Sequence, residues 1–204
     1  MIKLKILCVG IVVGALLGCK NPLALLVPKI FQKKDKAKID QPAHHDGLKS
    51  ESQTQTLNGN ILKASDGQSQ ITLPEGWIPI SSLNEKAELQ AGNRASIMYV
   101  AVLTESRADF ENMDIQKHSD TTRDSLKSAL TAINEQGPFK ITVGGFSAIQ
   151  YEIIATFENV KLGYLHTTVE SSKNYYQIIA WTLYSKFVSQ KNVLNSVIAS
   201  FKEL

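Results

Sequence analysis

Phe139-Lys140-Ile141-Thr142-Val143-Gly144-Gly145-Phe146-Ser147-Ala148-Ile149-Gln150-Tyr151-Glu152-Ile153-Ile154-Ala155-Thr156-Phe157-Glu158 reads as two β-strands, 139–143 and 146–158, joined by a tight turn. In the second strand Ile149, Tyr151, Ile153, Ala155 and Phe157 fall on one alternating set and Gln150, Glu152, Thr156 and Glu158 on the other. That period of two is the pattern of a pleated strand. Gly144-Gly145 supplies the positive φ angles that a two-residue hairpin turn demands. A turn this short closes only an antiparallel pair, because parallel neighbours need a long crossover. Moving outward, Asn159 breaks the strand, Val160–Glu170 forms the next, and Ser171–Asn174 turns the chain into Tyr175–Tyr184. Tyr175–Tyr184 is apolar on both alternating sets, so it must be covered on both faces.

Upstream, Gly137-Pro138 stops a helix expected from about Met113 to Glu135, since proline biases the preceding residue away from helical backbone. Ile115, Thr122, Leu126, Ala129, Leu130 and Ile133 share one face of that helix, with Asp120 and Arg123 on the other side. Ala95–Thr104 has apolar residues on both alternating sets and reads as a central strand. Ser69–Leu73 alternates and ends at Pro74-Glu75-Gly76-Trp77, where proline starts a turn that glycine permits and Trp77 packs as a plug. A last helix, about Lys186 to Lys202, buries Phe187, Val193, Leu194, Val197, Ile198 and Phe201. The order β-β-α-β-β-β-β-α, joined by hairpins, predicts an α+β fold. It comprises one largely antiparallel sheet of about six strands with helices on both faces, a three-layer sandwich.

The chain has 204 residues, 43% hydrophobic and 20% charged, which suits one medium domain and excludes both wholesale disorder and a polytopic membrane protein. Its net charge of +3 is unevenly spread. Residues 1–18 contribute +2 and residues 20–40 contribute +4, so 41–204 is left at −3. An acidic folded part argues against a nucleic-acid partner.

The N-terminus has the form of an export signal: Lys3 and Lys5, then an apolar run from Ile6 to Leu17 that is too short to span a bilayer. Leu16-Leu17-Gly18-Cys19 resembles the lipobox of bacterial lipoproteins. The resemblance implies cleavage between Gly18 and Cys19 and acylation of Cys19, so that 1–18 is a signal peptide and the membrane is a partner through the lipid. Several acyl chains anchor stably, at about 0.8 kcal/mol per buried CH₂. Cleavage removes Cys8 and acylation consumes Cys19, leaving no thiol for a disulfide. In a host with two membranes the residue after the cysteine biases sorting; Lys20 is not the aspartate of an inner-membrane retention signal, so the expected location there is the outer membrane, facing the periplasm. Residues 19–62 read as a lipidated, flexible basic tether. Within it Pro22–Phe31 is apolar and Lys33-Lys34-Asp35-Lys36 basic, a segment that either lies in the membrane interface or packs on the domain. His44-His45-Asp46 lacks the fixed geometry of a metal site.

Ile71–Leu73 with Pro74-x-Gly76-Trp77, the Gly144-Gly145 turn before a long strand, Tyr175-Tyr176-x-Ile178, and Val197-Ile198-x-Ser200-Phe201 together resemble the PsbP-like superfamily. That superfamily includes a photosystem II protein, the Ran-binding Mog proteins and many bacterial lipoproteins. The resemblance implies a PsbP-like α+β domain over 63–204 but no common activity, because its members share no catalytic residues.

No nucleophile-and-base motif, zinc motif or phosphate loop occurs, so no catalytic residue, metal site or cofactor is expected and the chain is read as non-enzymatic. His166 sits mid-strand with Leu162 and Tyr164 and reads as a packed or hydrogen-bonded histidine; His118 is the domain's other one. Glu105, Asp109, Glu111 and Asp114 lack the turn glycine and spacing of a calcium loop and read as a solvated loop. The expected role is a membrane-anchored binding or assembly module with an envelope protein partner. Trp77, Tyr175 and Tyr176 are the candidate partner contacts, with Tyr184 and Phe110, unless these rings are core. A carrier or sensor of a small hydrophobic ligand is the alternative. In a phototroph the resemblance implies photosystem II assembly.

Overall fold

A computed structural model describes residues 59–204. The expected signal peptide, Gly18, Cys19, the expected apolar and basic tether, and His44-His45-Asp46 lie outside the described residues.

The elements in chain order are β1 (Asn60–Lys63), β2 (Ser69–Leu73), β3 (Ile78–Pro79), β4 (Leu89–Asn93), β5 (Met98–Ser106), a 3-10 turn (Arg107–Asp109) and α1 (Ile115–Lys127). There follow β6 (Thr131–Val143), β7 (Phe146–Phe157), β8 (Val160–Glu170), β9 (Asn174–Leu183), α2 (Tyr184–Ala199) and β10 (Lys202–Glu203). Seven strands form an antiparallel sheet in the order β3-β4-β5-β9-β8-β7-β6, and β1-β2-β10 form a second, three-stranded one. The chain is thus α+β and mostly antiparallel, with more strands than expected. The short strands β1, β3, β4 and β10 carry no periodic signal of their own and exist through their partners. β1 pairs with β2 from Asn60, so the folded unit reaches back past residue 63.

The hairpin that decides the fold has Gly144 at φ 59° and Gly145 at φ 88°, with Val143 opposite Phe146. It leads into β7, β8 and β9, which pair along nearly their whole lengths. The expected helix to Glu135 is a correction. α1 ends at Lys127, and a turn closed by Ala129 N–H to the Leu126 carbonyl leads into β6 at Thr131. Leu130 and Ile133 are three apart and fit a helical face, but Asn134 and Glu135 pair with Ile154 and Ile153 of β7. The β7 edge satisfies these backbone groups, and Ile133 is exposed rather than core. The strand expected at Ala95–Thr104 is shifted to 98–106.

Alternation sorts the sheet's side chains into two cores. Met98, Val100, Val102, Leu165, Val169, Tyr176, Ile178 and Ala180 pack with Phe187, Leu194, Val197 and Ile198 of α2, with Ile71 and Leu73 of the small sheet, and with Trp77. Gly163 makes room there, because a Cβ on it would lie 2.3 Å from the Phe187 ring. Tyr99, Ala101, Tyr151, Ile153, Tyr164, Ile179 and Trp181 pack with Leu126 of α1, Leu130 just beyond it, and Leu83 of the β3–β4 connection.

Candidate functional site

Under α1 the sheet turns polar. Residues on its alternating positions stand side by side: Leu103, Gln177, Thr168 and Ile149 in one row, Ala101, Ile179, His166 and Tyr151 in the next. Glu105 is paired with Tyr175 at the adjoining end. α1 covers this floor with His118 and Ser119, both buried, and with Thr122. Asp114 starts the helix by accepting from Lys117 N–H, which places His118, Thr122 and Leu126 in successive turns on one face.

Polar contacts tie helix to floor and brace the floor itself. His118 Nε2 lies 3.0 Å from Glu105 Oε2, a close polar contact in which the ring nitrogen lies off the axis of a hydrogen bond. Gln177 Nε2 donates to the same oxygen at 2.6 Å. His166 Nε2 lies 3.2 Å from Thr122 Oγ1. Tyr151 O–H donates to Asp120 Oδ1 at 2.5 Å, and Gln116 Nε2 donates to both of these oxygens. Arg123 lies 4.5 Å from the centre of the Tyr151 ring and pairs with Asp120, Asp124 and Glu135. At the open end His118 stacks on Tyr175 at 4.1 Å, Phe110 meets both rings edge-on, and Arg107 lies over Tyr175.

Burial and charge set the protonation of these groups. Burial, helped by the charges of Arg123 and His118, pushes the His166 imidazole down to about 3, so it is neutral at pH 7. Burial works against ionising Glu105, but the His118 ring and the Gln177 amide hold its carboxyl below the ordinary range. Against the same burial, hydrogen bonds from Tyr151 and Gln116 and the Arg123 charge hold Asp120 low too. Ser119 Oγ, Thr168 Oγ1, His118 Nδ1 and His166 Nδ1 are buried without a hydrogen-bond partner.

No protein-family model matches the sequence, and no curated protein sequence matches it. Solved structures do match. Cyanobacterial PsbP (CyanoP) from Synechocystis sp. PCC 6803 is 11% identical over 77% of this chain and 99% of its own, with a TM-score of 0.54. LpqN of Mycobacterium tuberculosis, described as involved in cell envelope biogenesis, is 14% identical over 70% of this chain and 88% of its own (TM-score 0.53). The Saccharomyces cerevisiae Ran-binding protein Mog1p is 13% identical over 72% of this chain and 96% of its own (TM-score 0.51). This chain has a PsbP/Mog1-like fold.

On this fold the sequence-derived candidates are placed as follows. Trp77, Tyr175 and Tyr176 are buried, so none presents its ring to a partner. Trp77 and Tyr176 belong to the α2 core; the Tyr176 hydroxyl donates to Glu203 Oε1 at 2.7 Å. Tyr175 donates to the Met113 carbonyl at 2.6 Å, on the approach to α1. Tyr184 is exposed, beside Lys161. Asp109, Glu111 and Asp114 are exposed, whereas Glu105 turns inward to His118. Among the described residues no three His, Cys, Asp or Glu side chains gather as metal ligands, and no helix is long and apolar enough to cross a membrane. His166 is packed and hydrogen-bonded, as its position on β8 indicates. Sequence reasoning missed the pairing of His118 with Glu105 and of Asp120 with Tyr151. A signal for the first existed: His118 lies on the helical face that carries Ile115, Thr122 and Leu126.

Proposed function

We propose that this chain is a lipid-anchored protein of the cell envelope, held through Cys19 on the outer membrane facing the periplasm. Its α+β domain, helices on either side of a central sheet, serves as a non-enzymatic binding or assembly module for an envelope protein. The observation that carries the binding reading is the closure of the polar floor. Tyr151, Asp120, His118, Glu105 and Gln177 are engaged with one another beneath or beside α1. Groups committed to mutual contacts hold an element in place; a general acid or base must instead reach a substrate proton. The fold shared with LpqN, described in cell envelope biogenesis, and with Ran-binding Mog1p supports the same class. The signal-like N-terminus and its lipobox resemblance support the anchor.

The test is made on the full chain in its own host. Palmitate labelling is expected for the wild type and absent for Cys19→Ala, and equal labelling removes the anchor from the reading. Crosslinking in intact cells, then mass spectrometry, is expected to recover a defined envelope protein that Cys19→Ala loses. Turnover of a substrate by the purified chain, with no crosslinked partner, overturns the binding role.

A further inference from the structure

The two ends of α1 rest on different ground. Leu126, with Leu130 just beyond the helix, is buried in an apolar core, whereas toward the N-terminus only the half-buried Ile115 packs on that core and His118 and Thr122 meet Glu105 and His166. Besides His118 Nε2, which has only its close contact with Glu105, four polar atoms in that layer are buried without partners, each a cost that hydration removes once the layer opens. Buried apolar contact therefore secures the C-terminal end of the helix, and polar contact, with the half-buried Ile115, the N-terminal end.

We propose that the N-terminal half of α1, residues 115–123, is an acid-released cover. Protonation of His166 beneath it lifts this half from the sheet and exposes the floor of Glu105, Tyr175, Gln177, Thr168, His166 and Tyr151, while α2 stays in place.

The groups around His166 determine the direction. From α1 it faces His118, Asp120 and Arg123; from β7, Tyr151; Glu105 of β5 is taken up by His118 and Gln177, and Glu135 of β6 by Arg123. An imidazolium there meets the Arg123 guanidinium. Its nearest anion, Asp120, already serves Tyr151, Gln116 and Arg123. Water reaches the ring when the helix half lifts, and the ring regains its ordinary affinity for a proton. The open form thus binds the proton that the closed form refuses, and opening becomes easier as pH falls below the ordinary histidine range.

Hydrogen exchange of the full chain, followed by mass spectrometry and corrected for the intrinsic rate, tests this between pH 7.5 and 4.5. The protection of amides 115–123 is expected to fall about a hundredfold, about tenfold for each pH unit below about 6.5. Protection of α2 is expected to stay constant. Unchanged α1 protection, or α1 and α2 losing protection together, overturns the proposal. His166→Gln keeps a partner for Thr122 and cannot titrate. It should retain α1 protection at pH 7.5 and lose the acid response, and a persisting response overturns the proposal. Should that variant lack α1 protection at pH 7.5, the wild-type His166 ring is followed by NMR. A ring still neutral at pH 5 in the closed form supports the proposal, and one titrating near 6.5 with α1 closed overturns it.

Discussion

The two helices lie against the same sheet and are held by different physics. α2 sets Phe187, Leu194, Val197 and Ile198 into an apolar layer. α1 sets His118, Ser119 and Thr122 against a polar floor, with Leu126 its one fully buried apolar residue and Ile115 half-buried against the same core. Burying a leucine gains about 1.5–3 kcal/mol from the removal of apolar surface, at any pH. A buried polar contact exchanges protein partners for water, nets about 1 kcal/mol, and depends on protonation when its partners titrate. One helix is therefore a fixed part of the core and the other a conditional one. The substitutions below test that contrast.

The largest effect belongs to α2. Leu194 is fully buried, and Leu194→Ala leaves a cavity in a packed layer that should cost about 2–5 kcal/mol in urea denaturation. A loss below about 1 kcal/mol means that α2 is not the fixed helix. Gly163→Ala follows. Its Cβ would press into the Phe187 ring, so we expect a loss of about 1–3 kcal/mol. Phe187→Leu in the Gly163→Ala background should recover part of it, and a double variant that simply adds the two losses would place the strain elsewhere.

Tyr151→Phe tests the polar side. It removes the hydrogen bond that holds Asp120 ionised, in a partly exposed pair, and should cost about 1 kcal/mol at pH 7. The Asp120 carboxyl is held low in the folded state, so its contribution is present above the ordinary carboxylate value and lost as pH falls through the folded one. The difference between wild type and Tyr151→Phe should therefore narrow on acidification. A difference that stays constant to pH 3 would mean that Tyr151 acts by packing alone.

The same contrast explains what could be read in advance. The Gly144-Gly145 hairpin and the alternation from Ile149 to Phe157 were legible because both signals are local: two residues free to take positive φ, and a period of two. The apolar face of α2 was legible for the same reason. The stretch from Leu130 to Glu135 was not, because an i, i+3 apolar pair suits a helix and the pairing with β7 that makes it a strand comes from later in the chain. The polar floor was the least legible part. Histidine and serine on a helix usually signal a solvated face, and the partners of His118 come from β5, β9 and the 3-10 region. Tyr175 and Tyr176 suggested surface anchors because large aromatic rings often anchor a partner. In the fold those hydroxyls reach the Met113 carbonyl and Glu203, so the rings can be core.

The smallest expected effect is the most diagnostic, because its sign is opposite on the two sides. Thr168 is fully buried on β8 and its hydroxyl has no partner. Valine has the same branching at Cβ, so Thr168→Val preserves the strand rotamer and fills the same space. A hydroxyl with a partner would be missed, at about 1 kcal/mol. One without a partner carries only its desolvation, so the substitution should leave stability unchanged or raise it by about 0.5–1 kcal/mol. Ser119→Ala, removing the other unpartnered hydroxyl of the layer, should behave likewise with a smaller gain because it also loses a little packing. On the α2 side Thr167 accepts from Gln150 at 2.9 Å, so Thr167→Val should destabilise. If Thr168→Val instead costs as much as Thr167→Val in the same urea series, an ordered water satisfies the layer beneath α1. The cover would then be held more tightly than its protein contacts alone require, which would raise the pH-independent part of its protection.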